Sequence, residues 1–158
     1  MNVIVFFIVA ILDIAADQFT KLWLNSTLSE GQSLLNLGFF RITMVHNTGS
    51  AFGLIRNSNL LLAVVEAIGA IGVLVIVFLM HRQRSYWGGR LGIVALGLVF
   101  AGAVGNLIDR IHLGYVVDFI DLTYWPVFNV ADSSVTIGLI IIAVILIWLV
   151  KPKEKANG

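Results

Sequence analysis

Apolar residues gather in four long stretches, at about 2–24, 60–80, 91–108 and 134–150. Each is close to the ~20 residues a helix needs to cross ~30 Å of hydrocarbon. Apolar positions run on within them without the in–out alternation of a barrel strand. A backbone in lipid must satisfy its own hydrogen bonds, so runs of this kind predict helices. The segment between the first two stretches, 25–59, is different. Phe39, Phe40, Ile42 and Met44 alternate in part, and Asn47-Thr48-Gly49-Ser50-Ala51-Phe52-Gly53 is rich in turn formers. The pattern predicts an all-α membrane protein. Four transmembrane helices and a small β-rich segment after the first helix form one integral membrane domain over 1–158.

Composition agrees. The chain is 59% hydrophobic and 12% charged, against roughly 45–50% and about 25% in soluble domains. A chain this short cannot hide that surplus in a soluble core. The first stretch reads as a retained helix and not a cleaved leader. No Lys or Arg precedes it, and it carries Asp13 and Asp17.

Lys and Arg set the orientation. Arg82, Arg84 and Arg90 cluster between the second and third stretches, and Lys151, Lys153 and Lys155 follow the fourth. Both groups should face the cytoplasm, which puts both termini inside. The segments 25–59 and 111–133 then lie outside, with only Arg41 and Arg56 between them. Gly97, Ala101, Gly102 and Gly105 in the third stretch, and Ala63, Ala67 and Ala70 in the second, allow close helix approach. Packing within one bundle explains them without a second copy, and a monomer is expected.

Net charge is +1 and no basic, aromatic-interleaved run occurs, so nucleic acid is not an expected partner. No cysteine is present, and His46, His81 and His112 lie far apart. Neither a metal site nor another cofactor is expected.

Ionisable residues inside spans are costly and point to function. Asp13, Asp17 and Lys21 are four apart and share a helix face, where Asp17 and Lys21 can pair. Asn106, Asp109 and Arg110 share another face near the end of the third stretch. Arg110 needs a carboxylate, for which Asp109 or Asp17 could serve. Glu66, midway along the second stretch, has no evident role. Asp118 lies between apolar neighbours in Val116-Val117-Asp118-Phe119-Ile120-Asp121. Asp132 opens the fourth stretch, where an Asp commonly caps a helix. Two desolvated carboxylates sharing one proton can activate water and protonate a carbonyl without a nucleophilic Ser or Cys. Spacing alone does not decide which pair among Asp109, Asp118, Asp121 and Asp132 would do so. The same buried polar residues could also line a small transporter or proton relay. In that case they should spread across membrane depth, whereas here most gather at the outer ends.

Five blocks in order carry a resemblance: Asp17-Gln18-Phe19-Thr20-Lys21; Asn47-Thr48-Gly49-Ser50-Ala51-Phe52; Gly105-Asn106-Leu107-Ile108-Asp109-Arg110; Val116-Val117-Asp118-Phe119; and Phe128-Asn129-Val130-Ala131-Asp132-Ser133. Across essentially its whole length the chain resembles the bacterial lipoprotein signal peptidases, or signal peptidases II. Ser50 stands where that family often has Ala. The resemblance implies an aspartic endopeptidase of the bacterial cytoplasmic membrane. It implies Asp118 and Asp132 as the catalytic pair, with Asp17, Lys21, Asn47, Gly49, Asn106, Asp109, Arg110 and Asn129 in support. The implied substrate is a diacylglyceryl-modified prolipoprotein held in membrane lipid and cut just before its lipidated cysteine. Asp13 and Asp121 fall outside the shared pattern.

Overall fold

A computed structural model of the chain describes residues 2–49, 58–83 and 88–150. Ser50, Ala51, Phe52, Gly53, Arg56, Arg84, Lys151, Lys153 and Lys155 lie outside the described residues. The elements run α1 (Asn2–Thr27), β1 (Ser33–Asn36), β2 (Arg41–Asn47), α2 (Asn59–Arg82), α3 (Gly89–His112), β3 (Val116–Asp121) and α4 (Val130–Val150). All four helices are long and apolar enough to cross a membrane, as the hydrophobic pattern predicts. Each is longer than its apolar run. Polar residues at the sheet end, among them Asn106 and Asp109, stay helical because the bundle gives their side chains partners.

α3 is the central helix and packs against α1, α2 and α4. Its outward neighbours expose apolar side chains such as Leu60 (79%) and Trp148 (75%), which suit lipid. Small residues set the spacing. A Cβ at Gly102 would collide with the Ala131 carbonyl oxygen of α4, and one at Gly97 would stand 3.2 Å from the Phe6 carbonyl oxygen of α1. The small-residue signal therefore reports packing inside the bundle.

Two apolar clusters close the ends. Phe6, Val73, Val77, Met80, Ile93 and Leu96 join α1, α2 and α3 at the end nearer the chain's start. Leu24, Leu28, Met44, Val117 and Phe119 join α1 to the sheet at the other. Most of the buried polar residues lie between them.

The sheet is antiparallel in the order β1-β2-β3. The expected β-rich segment after α1 supplies only two of its strands. β3 escapes sequence reading because five of its six residues are buried. A strand covered on both faces loses the apolar–polar alternation that marks a half-exposed one. Gly114, at φ +81°, turns the chain from α3 into β3, a conformation that favours glycine. β3 pairs with β2 so that Asp118 lies opposite Val45, and Asn47 lies opposite Val116.

Gly102→Val should therefore destabilise the bundle by about 1–3 kcal/mol, the usual cost of overpacking. Gly72→Ala, where a Cβ meets nothing within 4 Å, should cost less than about 0.5 kcal/mol. Unfolding of both variants in detergent checks the contrast.

Candidate active site

Lys21 stands on the buried face of α1, its side chain 2% exposed. Its ammonium lies 2.8 Å from Asp17 Oδ2 and 3.0 Å from Asp109 Oδ2, and donates to Asn106 Oδ1 at 3.0 Å. Three N–H bonds meet three acceptors. Each carboxylate has a second task. Asp17 Oδ1 accepts the Ala131 backbone N–H at 2.9 Å, in the first turn of α4. Asp109 Oδ2 accepts the Val117 N–H at 3.1 Å, beside Asp118. Gln18 Nε2 ties this layer together by donating to Asp17 Oδ2, Asp109 Oδ1 and the Gly105 carbonyl.

The orientation of the amides follows. An ammonium only donates, so Asn106 turns its oxygen toward Lys21 and its nitrogen toward Asp132 Oδ1, 2.8 Å away. Asn129 Nδ2 also donates to Asn106 Oδ1, at 3.1 Å, and to Asp118 Oδ1 at 2.7 Å. Asn129 Oδ1 is then left to accept the Asp132 backbone N–H at 2.9 Å, while the Asn129 N–H donates to Asp132 Oδ2 at 3.3 Å. That reciprocal pair is a capping box. The cap of α4 is Asn129, and Asp132 is its partner one turn in, which corrects the expectation that Asp132 itself caps the helix. The sequence reading stopped at the carboxylate because Asp and Asn are equally good caps.

Asp118 is fixed from its other side. Asn47 Nδ2 donates to Asp118 Oδ2 at 2.8 Å. The Gly49 N–H donates to Asn47 Oδ1 at 3.0 Å and so selects that amide orientation. Asp118 and Asp132 thus each receive two N–H donors, and both receive one from Asn129. Burial first, and the nearby Asp132 charge second, push the Asp118 carboxyl up to about 7.

Both aspartates line a cavity of about 840 Å³ bounded by α2, α3, α4 and the chain after β3. Asn47, Gly49, Asn106 and Arg110 line it too, together with Leu62, Val65, Val99, Val127 and Phe128. Asp17, Lys21 and Asp109 stand behind this wall. Every site residue expected from sequence therefore belongs to one connected region.

Arg110 corrects a second expectation. Its partner is neither Asp109 nor Asp17. Arg110 Nε donates to Glu66 Oε1 at 3.0 Å, and Nη1 donates to Asn59 Oδ1 at 3.3 Å. Asp109 points to Lys21 because Asp109 and Arg110, adjacent on a helix, face about 100° apart. Asn59 and Gln18 carried no sequence signal of their own. Glu66 did, as a carboxylate within an apolar span. Asp121, a rival for the pair, is engaged by Arg41 at 2.8 Å. Asp13 accepts from Ser134 Oγ at 2.8 Å. Neither appears in the lining of the cavity.

The family described as Signal peptidase (SPase) II matches residues 9–148. A lipoprotein signal peptidase of Dehalococcoides mccartyi is 40% identical over 147 residues, covering 93% of this chain and 87% of the relative. One of Moorella thermoacetica is 41% identical over 138 residues, covering 87% and 89%. A bacterial membrane enzyme structure solved in meso at 2.3 Å superposes with a TM-score of 0.83 at 33% identity, covering 97% of this chain and 93% of that one.

Lys21→Met should leave two buried carboxylates without their cation and cost about 3–5 kcal/mol. Unfolding in detergent measures this, and a variant as stable as the parent would show that the ammonium does not organise the layer. Asp118 gives a pH signature. Folded, it holds its proton to about 7, whereas its unfolded value is near 3.8. Between those values the folded chain binds more protons, so this contribution is complete below the unfolded value and lost as pH rises through the folded one. Stability should fall across that window in the parent and more gently in Asp118→Asn.

Proposed function

The chain belongs to the signal peptidase II family, and from that membership we propose that Asp118 and Asp132 are the dyad with which it removes signal peptides from prolipoproteins. The observation that carries the reading is the arrangement of these two carboxylates. Asp118 is buried and Asp132 half-buried on the wall of one cavity, and the two are joined through a single asparagine, Asn129.

Like charges this close share a proton, so the pair is one acid and one base. A water between them gives its proton to the ionised carboxylate as its oxygen adds to the scissile carbonyl carbon. The protonated carboxyl gives its proton to the carbonyl oxygen. When the tetrahedral intermediate collapses, the C–N bond breaks and the departing amine takes the proton that came from water. A hydroxyl of the intermediate returns its proton to the other carboxylate, which restores the dyad. No covalent intermediate forms. Asn47, Asn106 and Asn129 hold the carboxylates in place for both steps.

The substrate follows from the setting. A precursor carrying diacylglyceryl on its cysteine stays in the bilayer, and its scissile bond, just before that cysteine, lies near the outer surface. The dyad sits at the sheet end of the bundle. The Lys and Arg distribution puts that end outside the cytoplasmic membrane, with both termini within. α2 and α4 both lean on α3 with the cavity between them, so acyl chains can enter from the side. A transporter or relay is not favoured, because the buried polar residues concentrate in one layer instead of lining a path across the membrane.

Asp118→Asn and Asp132→Asn should each lower processing of a diacylglyceryl-modified prolipoprotein by at least about a hundredfold while still inserting in membranes. Substantial turnover by either variant, scored by gel shift of the precursor, would remove that residue from the dyad.

A further inference from the structure

The cavity wall carries one charged pair that the dyad chemistry does not use. Glu66 and Arg110 meet across the α2–α3 contact, with side chains only 16% and 6% exposed, and both line the cavity. Glu66 gives one oxygen, Oε1, to Arg110. Its other oxygen, Oε2, is buried and has no hydrogen-bond partner among the described residues. An unsatisfied carboxylate oxygen in apolar surroundings is costly. Its persistence within an apolar span calls for an occasional partner.

Glu66 lies seven residues into α2, about 10 Å along the axis from the sheet end. Asp132 lies two residues into α4, about 3 Å along. Glu66 is therefore deeper in the bilayer than the dyad. A signal peptide enters that depth as a helix whose amides bond to one another. For its scissile carbonyl to meet water, the last turn must open. Backbone N–H groups on the signal-peptide side then lose their partners in a place where water cannot replace them.

We infer that Glu66 is a substrate-binding residue, whose Oε2 accepts a backbone N–H freed when the signal peptide unwinds ahead of the cut. Arg110 holds the Glu66 carboxylate by its other oxygen and so aims Oε2 into the cavity. This inference rests on the peptidase reading above and adds to it a determinant that favours substrates able to unwind at that depth.

Glu66→Gln tests it with little structural cost. The amide oxygen still accepts from Arg110, and the amide nitrogen then replaces Oε2, turning an acceptor into a donor. The full-length enzyme in lipid is given a diacylglyceryl-modified lipobox peptide. It is also given analogues N-methylated at one amide at a time on the signal-peptide side. With the unmodified peptide, Glu66→Gln should raise KM about tenfold and leave kcat within about twofold. KM does not depend on how much enzyme is folded, so instability cannot imitate this result. One analogue should cost the parent about tenfold in kcat/KM and cost Glu66→Gln almost nothing further, the coupling expected of a direct contact. An unchanged KM in Glu66→Gln, or losses that multiply at every methylated position, would overturn the inference while leaving the peptidase reading in place. A parent enzyme that leaves the modified peptide uncut would overturn both.

Discussion

The site depends on one buried ammonium group, its side chain only 2% exposed. Lys21 places a positive charge inside an apolar bundle and gives each of its three protons to a different side chain. One goes to Asp17 on its own helix, and the others go to Asp109 and Asn106 on α3. Because an ammonium cannot accept, its neighbours have no alternative orientation. The Asn106 amide points one way, the Asn129 amide follows, and the donors that hold Asp118 and Asp132 end where they must. Hydrogen bonds in such a chain polarise one another in a low dielectric, and a fault at Lys21 would be felt at the cavity wall.

Burying ions is costly, and the fold offsets the cost by giving each carboxylate oxygen a further use. Asp17 sits at the positive end of α4, where the helix dipole and the Ala131 N–H favour its charge. Asp109 fixes the strand that carries Asp118. Such reach requires close backbones. A Cβ at Gly105 would stand 2.7 Å from Asp17 Oδ2, so glycine there is a condition of the ion layer as much as of helix packing. The glycines of α3, the buried lysine and the aspartate pair are one arrangement seen at three scales.

Much of this was legible in the sequence, and the exceptions share a cause. The four helices announced themselves because lipid demands long apolar runs. Asp17 and Lys21 were readable as a pair because both lie on one helix, where spacing fixes who meets whom. Arg110 was misread because its partner lies on another helix, and spacing is silent about contacts between elements. β3 was missed because strands buried on both faces lose their alternation. Asn129 as the cap, with Asp132 as its partner, was open to sequence reading, since Asn three residues before Asp makes a capping box. The choice of Asp118 and Asp132 over Asp109 and Asp121 came from resemblance. The structure adds a physical ground for it. Asp109 is engaged by Lys21 and Asp121 by Arg41, whereas among the described residues Asp118 and Asp132 accept from neutral amides and face an open cavity.

That last contrast separates the carboxylates of the bundle into two kinds, and the two proposed for the dyad are of the second kind. Asp17 and Asp109 are tied to the Lys21 ammonium. A carboxylate held only by amide N–H groups beside a like charge is raised toward neutrality, as Asp118 is. The division is spatial. The cation, with Asp17, Asp109 and Gln18, lies behind α3, and the amide-held aspartates lie in front of it. The Glu66–Arg110 pair is intermediate, with one carboxylate oxygen held by Arg110 and the other without a partner among the described residues. Under the binding role inferred for Glu66, a signal peptide entering from the bilayer would meet that carboxylate before it met Asp118 and Asp132, as its own backbone was beginning to need a partner.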